Sequence, residues 1–300
     1  MTEGHMTKQT QGSYQERLNR VLDHMERHLD DDLALDELAA VACFSPYHFH
    51  RIFSGMVGEG VKAHLRRLRL ERAANRLTFT ELPVTDIALN AGYDSPEAFS
   101  RAFRNLFELS PVRYRELALA GGLPPASGRS SVALCRACEL IQEGKLTMEA
   151  TIKELPELNV AYVRHVGPYE MCESAWEAVC GWAAPKGLLG PNTAIVGLCH
   201  DDPEITPPEK IRYDACLTVP EGVQAEGSVG VKTIGGGRYA VTVHKGPYAN
   251  LHATYAWLCG VWVVENGHEL ASEPSLEFYL NNPEQTPPEE LRTEVHVRLA

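Results

Sequence analysis

At 300 residues the chain is long for one hydrophobic core and comfortable for two domains. Its composition, 44% hydrophobic and 23% charged, is that of a globular protein, and no run of about 18 apolar residues marks a membrane span. The net charge of −12 argues against a uniformly basic nucleic-acid binder, yet it is unevenly spread: residues 1–120 carry 15 Lys+Arg against 17 Asp+Glu, residues 121–300 carry 13 against 23. Local patches rather than net charge set phosphate attraction.

The start, Met1–Ser13, is polar and has no signal-peptide core, so a cytoplasmic location is expected and the eight cysteines are read as reduced thiols. Cys135 and Cys138 form a lone C-x-x-C with no second pair nearby, and no metal site is expected. Tyr14–Leu29 reads as an amphipathic helix with Leu18, Val21, Leu22, Met25 and Leu29 on one face. Leu35–Ala42 is a second short helix, opened by Asp36 and Glu37. Ser45-Pro46 is an N-cap followed by proline at the first helical position, where the missing N–H costs nothing.

That start signal recurs. At an offset of 50, Ser45, Pro46, Phe49, Arg51 and Phe53 are repeated as Ser95, Pro96, Phe99, Arg101 and Phe103. Each copy follows a short apolar segment, Leu33–Cys43 or Val84–Gly92, which outlines two helix-turn-helix units. Val61–Leu77 is a longer helix joining them, with five arginines in His64–Arg76, and Ser110-Pro111 opens a closing helix through Leu117. In each second helix the two phenylalanines, four apart, face the core together, leaving Arg51 and Arg101 towards solvent or DNA.

Residues 14–118, and above all I-A-L-N-A-G-Y-D-S-P-E-A-F-S-R-A-F-R-N-L-F-E-L-S-P-V-R-Y-R, resemble the DNA-binding domain of the AraC/XylS family of bacterial transcription regulators. The resemblance implies two helix-turn-helix units on one rigid connecting helix, entering successive major-groove segments about 34 Å apart. It places Tyr47, His50 and Arg51 at base-reading positions of the first recognition helix, and Pro96, Glu97, Ser100 and Arg101 at those of the second. Arg51 and Arg101 suit bidentate bonds to guanine, each worth roughly 1–3 kcal/mol of discrimination; the competing reading is an ion pair within the domain. Pro96 offers no polar group, so the second helix is expected to read DNA weakly.

Gly121–Ser131 is a linker by composition, within an expected connecting segment of 119–147 in which Val132–Glu143 has helical character. From Met148 onward the pattern turns to strands. V-R-H-V-G-P-Y at 163–169 is matched by T-V-H-K-G-P-Y at 242–248, an offset of 79, and Trp176 and Cys180 are matched by Tyr255 and Cys259. D-D-P-E-I-T-P-P-E at 201–209 recurs at 281–289 with an offset of 80. Two modules reading strand, helix, strand, strand should pair about a pseudo-twofold axis with a cleft where they meet.

Residues 148–300, through this repeat, the two G-P-Y segments and P-S-L-E-F-Y-L-N-N-P at 274–283, resemble the GyrI-like domain, which in several regulators binds small lipophilic, often cationic, effectors. Strand alternation puts Glu277, Tyr279 and Asn281 on one face and Leu276, Phe278 and Leu280 on the other; the second set is expected to face the helices and Glu277 the cleft. The offset-80 counterpart of Glu277 is Gly197, so a single carboxylate marks an otherwise symmetric cleft, as suits one cation. Trp176, Tyr169, Tyr248 and Tyr255 supply aromatic walls. The competing readings are Glu277 bonded to a neighbouring tyrosine or arginine, and Trp176 packed in the core.

The expected whole is multidomain: an all-α double helix-turn-helix domain, then an α+β domain of two pseudo-twofold-related β-α-β-β modules. Its expected partners are double-stranded DNA, a small-molecule effector and RNA polymerase, with no membrane, no cofactor and no catalytic residues. Activation is the commoner behaviour in the resembled family. The alternative is a C-terminal domain that acts as a small-molecule hydrolase, with Glu277 as general base, or as a module for a protein partner.

Overall fold

The structure, a computed structural model, describes residues 3–120, 148–203 and 206–300, with side chains from residue 13 onward. The linker, the Val132–Glu143 helix and the Cys135/Cys138 pair expected above fall outside the described residues. Seven helices precede the linker: α1 (Glu3–Arg27), α2 (Leu35–Ala42), α3 (Pro46–Val57), α4 (Val61–Phe79), α5 (Val84–Asn90), α6 (Pro96–Phe107) and α7 (Pro111–Leu119). Backbone proximity divides the chain into two compact units. One combines Ser45–Met56, and the start of α1 up to Gln15, with the C-terminal half; the other holds Glu16–Phe44 and, of the described residues, 57–120.

In the second of these units the start signals act as expected. The Ser95 hydroxyl accepts from the Ala98 N–H at 3.2 Å and the Ser110 hydroxyl from the Arg113 N–H at 3.3 Å, each with proline at the first helical position. Gly92, at φ +79°, turns the chain between α5 and α6. Phe99, Phe103 and Phe107 line one face of α6 and pack with Leu70, Ala74, Leu77, Ile87 and Tyr114 in one cluster. Most arginines of the connecting helix are engaged structurally. Arg67 pairs with Glu59 and Glu71, Arg69 donates to the carbonyls of Leu29 and Asp31, and Arg72 holds Asp30 with two bonds.

The C-terminal half is a closed antiparallel ring of six strands: β1 (Ala150–Val166), β2 (Ile195–Cys199), β3 (Arg212–Thr218), β4 (Gly230–Lys245), β5 (Ser275–Tyr279) and β6 (Arg292–Arg298). Their order is β1-β3-β2-β5-β6-β4, with β4 returning to β1. The sequence repeat maps onto it strand by strand, since β2 and β3 shifted by 80 residues coincide with β5 and β6. Helix α8 (Glu173–Ala183) crosses the first module. In the second, α9 runs from Leu251 to Trp257, passes through a π turn at Leu258–Trp262 and ends in Val263–Glu265. The pseudo-twofold axis passes through the β2–β5 pair, where Gly197 is the cross-strand partner of Glu277.

The alternation of β5 is as read, but its faces are the reverse of those expected. Leu276 and Phe278 pack into the ring interior with Val160, Val196, Leu198 and Val241. Glu277 and Tyr279 lie on the side covered by the helices, where they meet Tyr255 of α9 and Trp176 of α8. A closed ring has its own apolar interior, and that interior takes the Leu276/Phe278 face.

Candidate functional site

On the helix-covered face, Glu277 is only 6% exposed and both its oxygens accept tyrosine hydroxyls. Tyr255 donates to Oε1 at 2.9 Å and Tyr279 to Oε2 at 2.8 Å. The Tyr279 hydroxyl also lies 2.9 Å from that of Tyr213. Rings extend this network: Tyr279 meets Trp176 at 5.8 Å and Tyr248 at 5.6 Å, while Tyr213 meets Trp176 at 6.1 Å and Tyr169 at 5.6 Å, all edge to face. The Tyr169 hydroxyl donates to the Asp201 carbonyl. Glu277, Tyr279, Trp176, Tyr169, Tyr248 and Tyr255 are thus brought together in one cluster, and Glu277 makes the tyrosine bonds weighed against a ligand role above.

The electrostatics follow from burial. Desolvation, with Glu277 next in size, pushes the hydroxyls of Tyr255 and Tyr279 well above the ordinary tyrosine range, so both remain donors. Burial and then the neighbouring Cys199 raise Tyr213 in the same way. The Cys199 thiol beside Glu277 is itself raised, first by burial and then by that carboxylate. The buried carboxylate is thus held by two neutral donors within a cluster of aromatic rings, whose faces, not edges, attract a cation.

Tyr47, His50 and Arg51 of α3 lie on this same unit and not at a free surface. Arg51 is 5% exposed. Its guanidinium carbon sits 3.8 Å from the centroid of Tyr255 and 4.6 Å from that of Tyr47. Its Nη1 donates to the Ser275 hydroxyl at 3.1 Å, and Nε is 3.6 Å from Asp202 Oδ2. The Tyr47 hydroxyl accepts the Ser275 N–H and lies 2.9 Å from both the Cys199 carbonyl and the Ser275 hydroxyl. His50 Nδ1 is 3.3 Å from Asp202, and His48 donates from Nε2 to the Ala271 carbonyl at 2.7 Å. Eight consecutive residues, His48 to Gly55, are buried, whereas α6 buries only its phenylalanines. In this arrangement the expected base-reading side chains of α3 are not presented to DNA, because polar groups of the C-terminal half already hold them.

The second set lies in the other unit. Glu97 and Arg101 are exposed, and Pro96 and Ser100 partly so.

Sequence reasoning missed Tyr213, Cys199, Asp202 and Ser275. Tyr213 follows only from the register that pairs it with Cys199, which no local pattern reveals. Ser275 and Asp202 bear on the site only once α3 is seated.

Residues 148–300 match the family described as the GyrI-like small molecule binding domain, and residues 38–117 match a helix-turn-helix domain family. Over 102 residues the chain is 35% identical to the uncharacterized HTH-type transcriptional regulator YbfP of Bacillus subtilis, covering 34% of this chain and 35% of that protein. Over 91 residues it is 41% identical to the transcriptional regulator Rob of Salmonella typhimurium, covering 30% and 32%. The chain therefore spans about a third of the length of these curated relatives. Among solved structures, the C-terminal domain of EcmrR aligns with a TM-score of 0.45 at 23% identity, covering 52% of this chain and 99% of that one. Among the described residues no helix is long and apolar enough to cross a membrane, and no group of three or more His, Cys, Asp or Glu residues is placed to hold a metal ion.

Proposed function

Because the chain belongs to the GyrI-like family, with an AraC-type helix-turn-helix segment ahead of that domain, we propose that it is a bacterial cytoplasmic transcription regulator that reads duplex DNA and senses a small lipophilic cation. One observation carries the effector half: a single buried carboxylate, Glu277, on the pseudo-twofold axis, with glycine as its symmetry counterpart and aromatic rings around it. One carboxylate on the axis between two otherwise matched modules suits one monovalent cation. Glu277 is the counter-charge, Tyr255 and Tyr279 orient it, and Trp176, Tyr169 and Tyr248 form the walls.

Tyr47, His50 and Arg51 of α3, and Pro96, Glu97, Ser100 and Arg101 at the start of α6, are the proposed DNA-reading residues. Arg101, exposed, contributes guanine recognition. RNA polymerase is the further partner, and activation the mode of control. We assign the Glu277 cluster no catalytic role, since Tyr255 and Tyr279 both donate to Glu277 rather than being free to orient a substrate and a water.

The test is thermal denaturation of the full chain with tetraphenylphosphonium and other lipophilic cations. A ligand at 100-fold its Kd stabilises by about 2.7 kcal/mol, and Glu277→Gln should abolish that shift. No shift across a broad panel, with Glu277→Gln indistinguishable from wild type, overturns the cation reading. Selection of bound duplexes from a random pool tests the DNA half, and failure to enrich any sequence overturns it.

A further inference from the structure

We propose that the effector domain carries a dedicated site for the guanidinium of Arg51, and that α3 seated in this site is unavailable to DNA. The inference rests on the reading of α3 as a DNA-reading helix. The site is complete on its own terms: two rings, Tyr47 and Tyr255, flank the guanidinium, while Asp202 supplies a carboxylate and Ser275 a hydroxyl. A buried guanidinium is costly unless paired and hydrogen-bonded, and here it is both. Tyr47, next to it on α3, is held in turn by the backbone of Ser275 and the carbonyl of Cys199.

A second observation shows that the fit extends to the backbone. Helix α3 meets the π turn of α9 at a pair of glycines. A Cβ added at Gly260 would fall 2.5 Å from the Cα of Gly55 and 2.9 Å from the Ile52 carbonyl, and one at Gly55 would collide with the Ala256 carbonyl. The offset-79 counterpart of Gly260 is Gly181 in α8, where an added Cβ meets nothing within 4 Å. The close approach is therefore specific to the second module and to α3, and is not a general property of this helix.

The two uses of α3 exclude each other. A bidentate bond to guanine needs the guanidinium fork in the major groove, and the docked fork is almost wholly buried. DNA binding through α3 then requires undocking, and the apparent affinity falls by the fraction of molecules that are docked.

The experiment compares full-length wild type, Gly260→Ala and Gly181→Ala by two readouts. The first is hydrogen exchange of the α3 segment, 46–57. The second is affinity for a duplex selected from a random pool by the protein itself. Gly260→Ala should raise exchange across 46–57 and tighten duplex binding by about tenfold or more, while Gly181→Ala changes neither. Unaltered exchange in Gly260→Ala overturns the docked site. Raised exchange with unaltered duplex affinity overturns the exclusion. If no variant selects any duplex, the DNA-reading function itself fails, while the exchange readout still judges the docking. Should Gly260→Ala not fold, Asp202→Asn, which removes the carboxylate from the site and leaves α3 intact, replaces it in both arms.

Discussion

The guanidinium carbon of Arg51 lies 3.8 Å from the centroid of the Tyr255 ring, and the hydroxyl of that ring donates to Glu277 at 2.9 Å. One aromatic side chain thus carries a cation on its face and a carboxylate at its tip. A second cation drawn to Glu277 shares Tyr255 with Arg51 and is repelled by it through a poorly screened interior. Arg51→Ala should therefore tighten tetraphenylphosphonium binding by roughly fivefold, about 1 kcal/mol, as measured by calorimetry. Linkage requires the converse, that the bound cation loosens α3. An unchanged Kd in Arg51→Ala means that the two charges do not sense each other.

Tyr255→Phe keeps the ring under Arg51 and removes only the donor to Glu277. A buried acceptor left without its partner costs about 1–3 kcal/mol. Tyr279→Phe removes the donor to the other oxygen, so it should cost a similar amount. Because the two hydroxyls serve one carboxylate, the double variant should depart from additivity. Thermal or urea denaturation reads all three. Wild-type stability in both single variants would show that water replaces the hydroxyls freely.

Much of this arrangement was legible in the sequence for a physical reason: repeats expose equivalent positions without any structure. The offset of 50 marks the start of α3 and of α6, and the offset of 80 shows that the two modules repeat one strand order, which the structure bears out in β2, β3, β5 and β6. Comparing Glu277 with Gly197 singles out a charged position that has no charged counterpart, and the register puts that pair on the axis. What escaped depends on how distant segments meet. Alternation fixed which residues share a face of β5, but only closure of the ring decides which face the helices cover. The burial of Arg51 was equally invisible, because its partners Asp202, Tyr255 and Ser275 lie more than 150 residues away and Gly55 and Gly260 look ordinary singly. A mid-helix glycine costs about 1 kcal/mol relative to alanine, so two of them facing each other are the trace that the docking leaves in the sequence.

His48 gives the docked helix a pH dependence. It is 2% exposed, and burial first, then the Arg51 guanidinium, lower its pKa to about 3, against an upward pull from the Ala271 carbonyl and Asp202. Freed into solvent, the imidazole titrates near 6.5. Above that value it is neutral in both states and docking is unaffected. As pH falls below 6.5, the released helix takes up a proton that the docked helix refuses, so docking weakens by up to about 1.4 kcal/mol per pH unit until the pH nears 3. Exchange of the 46–57 amides, corrected for intrinsic rate, should rise relative to pH 7 between pH 6 and pH 5, and His48→Gln should flatten that rise. A wild-type profile already flat would assign the docking energy elsewhere.

Gly197→Ala tests the axis itself. The residue faces Glu277 across the β2–β5 pair, and its missing side chain is what lets two tyrosines meet there. An added Cβ would lie 2.6 Å from the Tyr213 hydroxyl oxygen, 2.7 Å from that of Tyr279 and 2.8 Å from a ring carbon of Tyr213. Relief demands that at least one rigid ring swing away. Tyr213 is enclosed among Ala161, Val179 and Ala215, so Tyr279 is the ring that moves, and its bond to Glu277 lengthens or breaks. Overpacking of this kind costs about 1–3 kcal/mol. Cation affinity should fall with it, since the carboxylate loses one of its two orienting donors. Gly181→Ala, made in open space on a helix, should be neutral or stabilise by up to about 1 kcal/mol. If Gly197→Ala matches it in both stability and cation binding, the tyrosine pair yields without cost, and the axis is not where affinity is set.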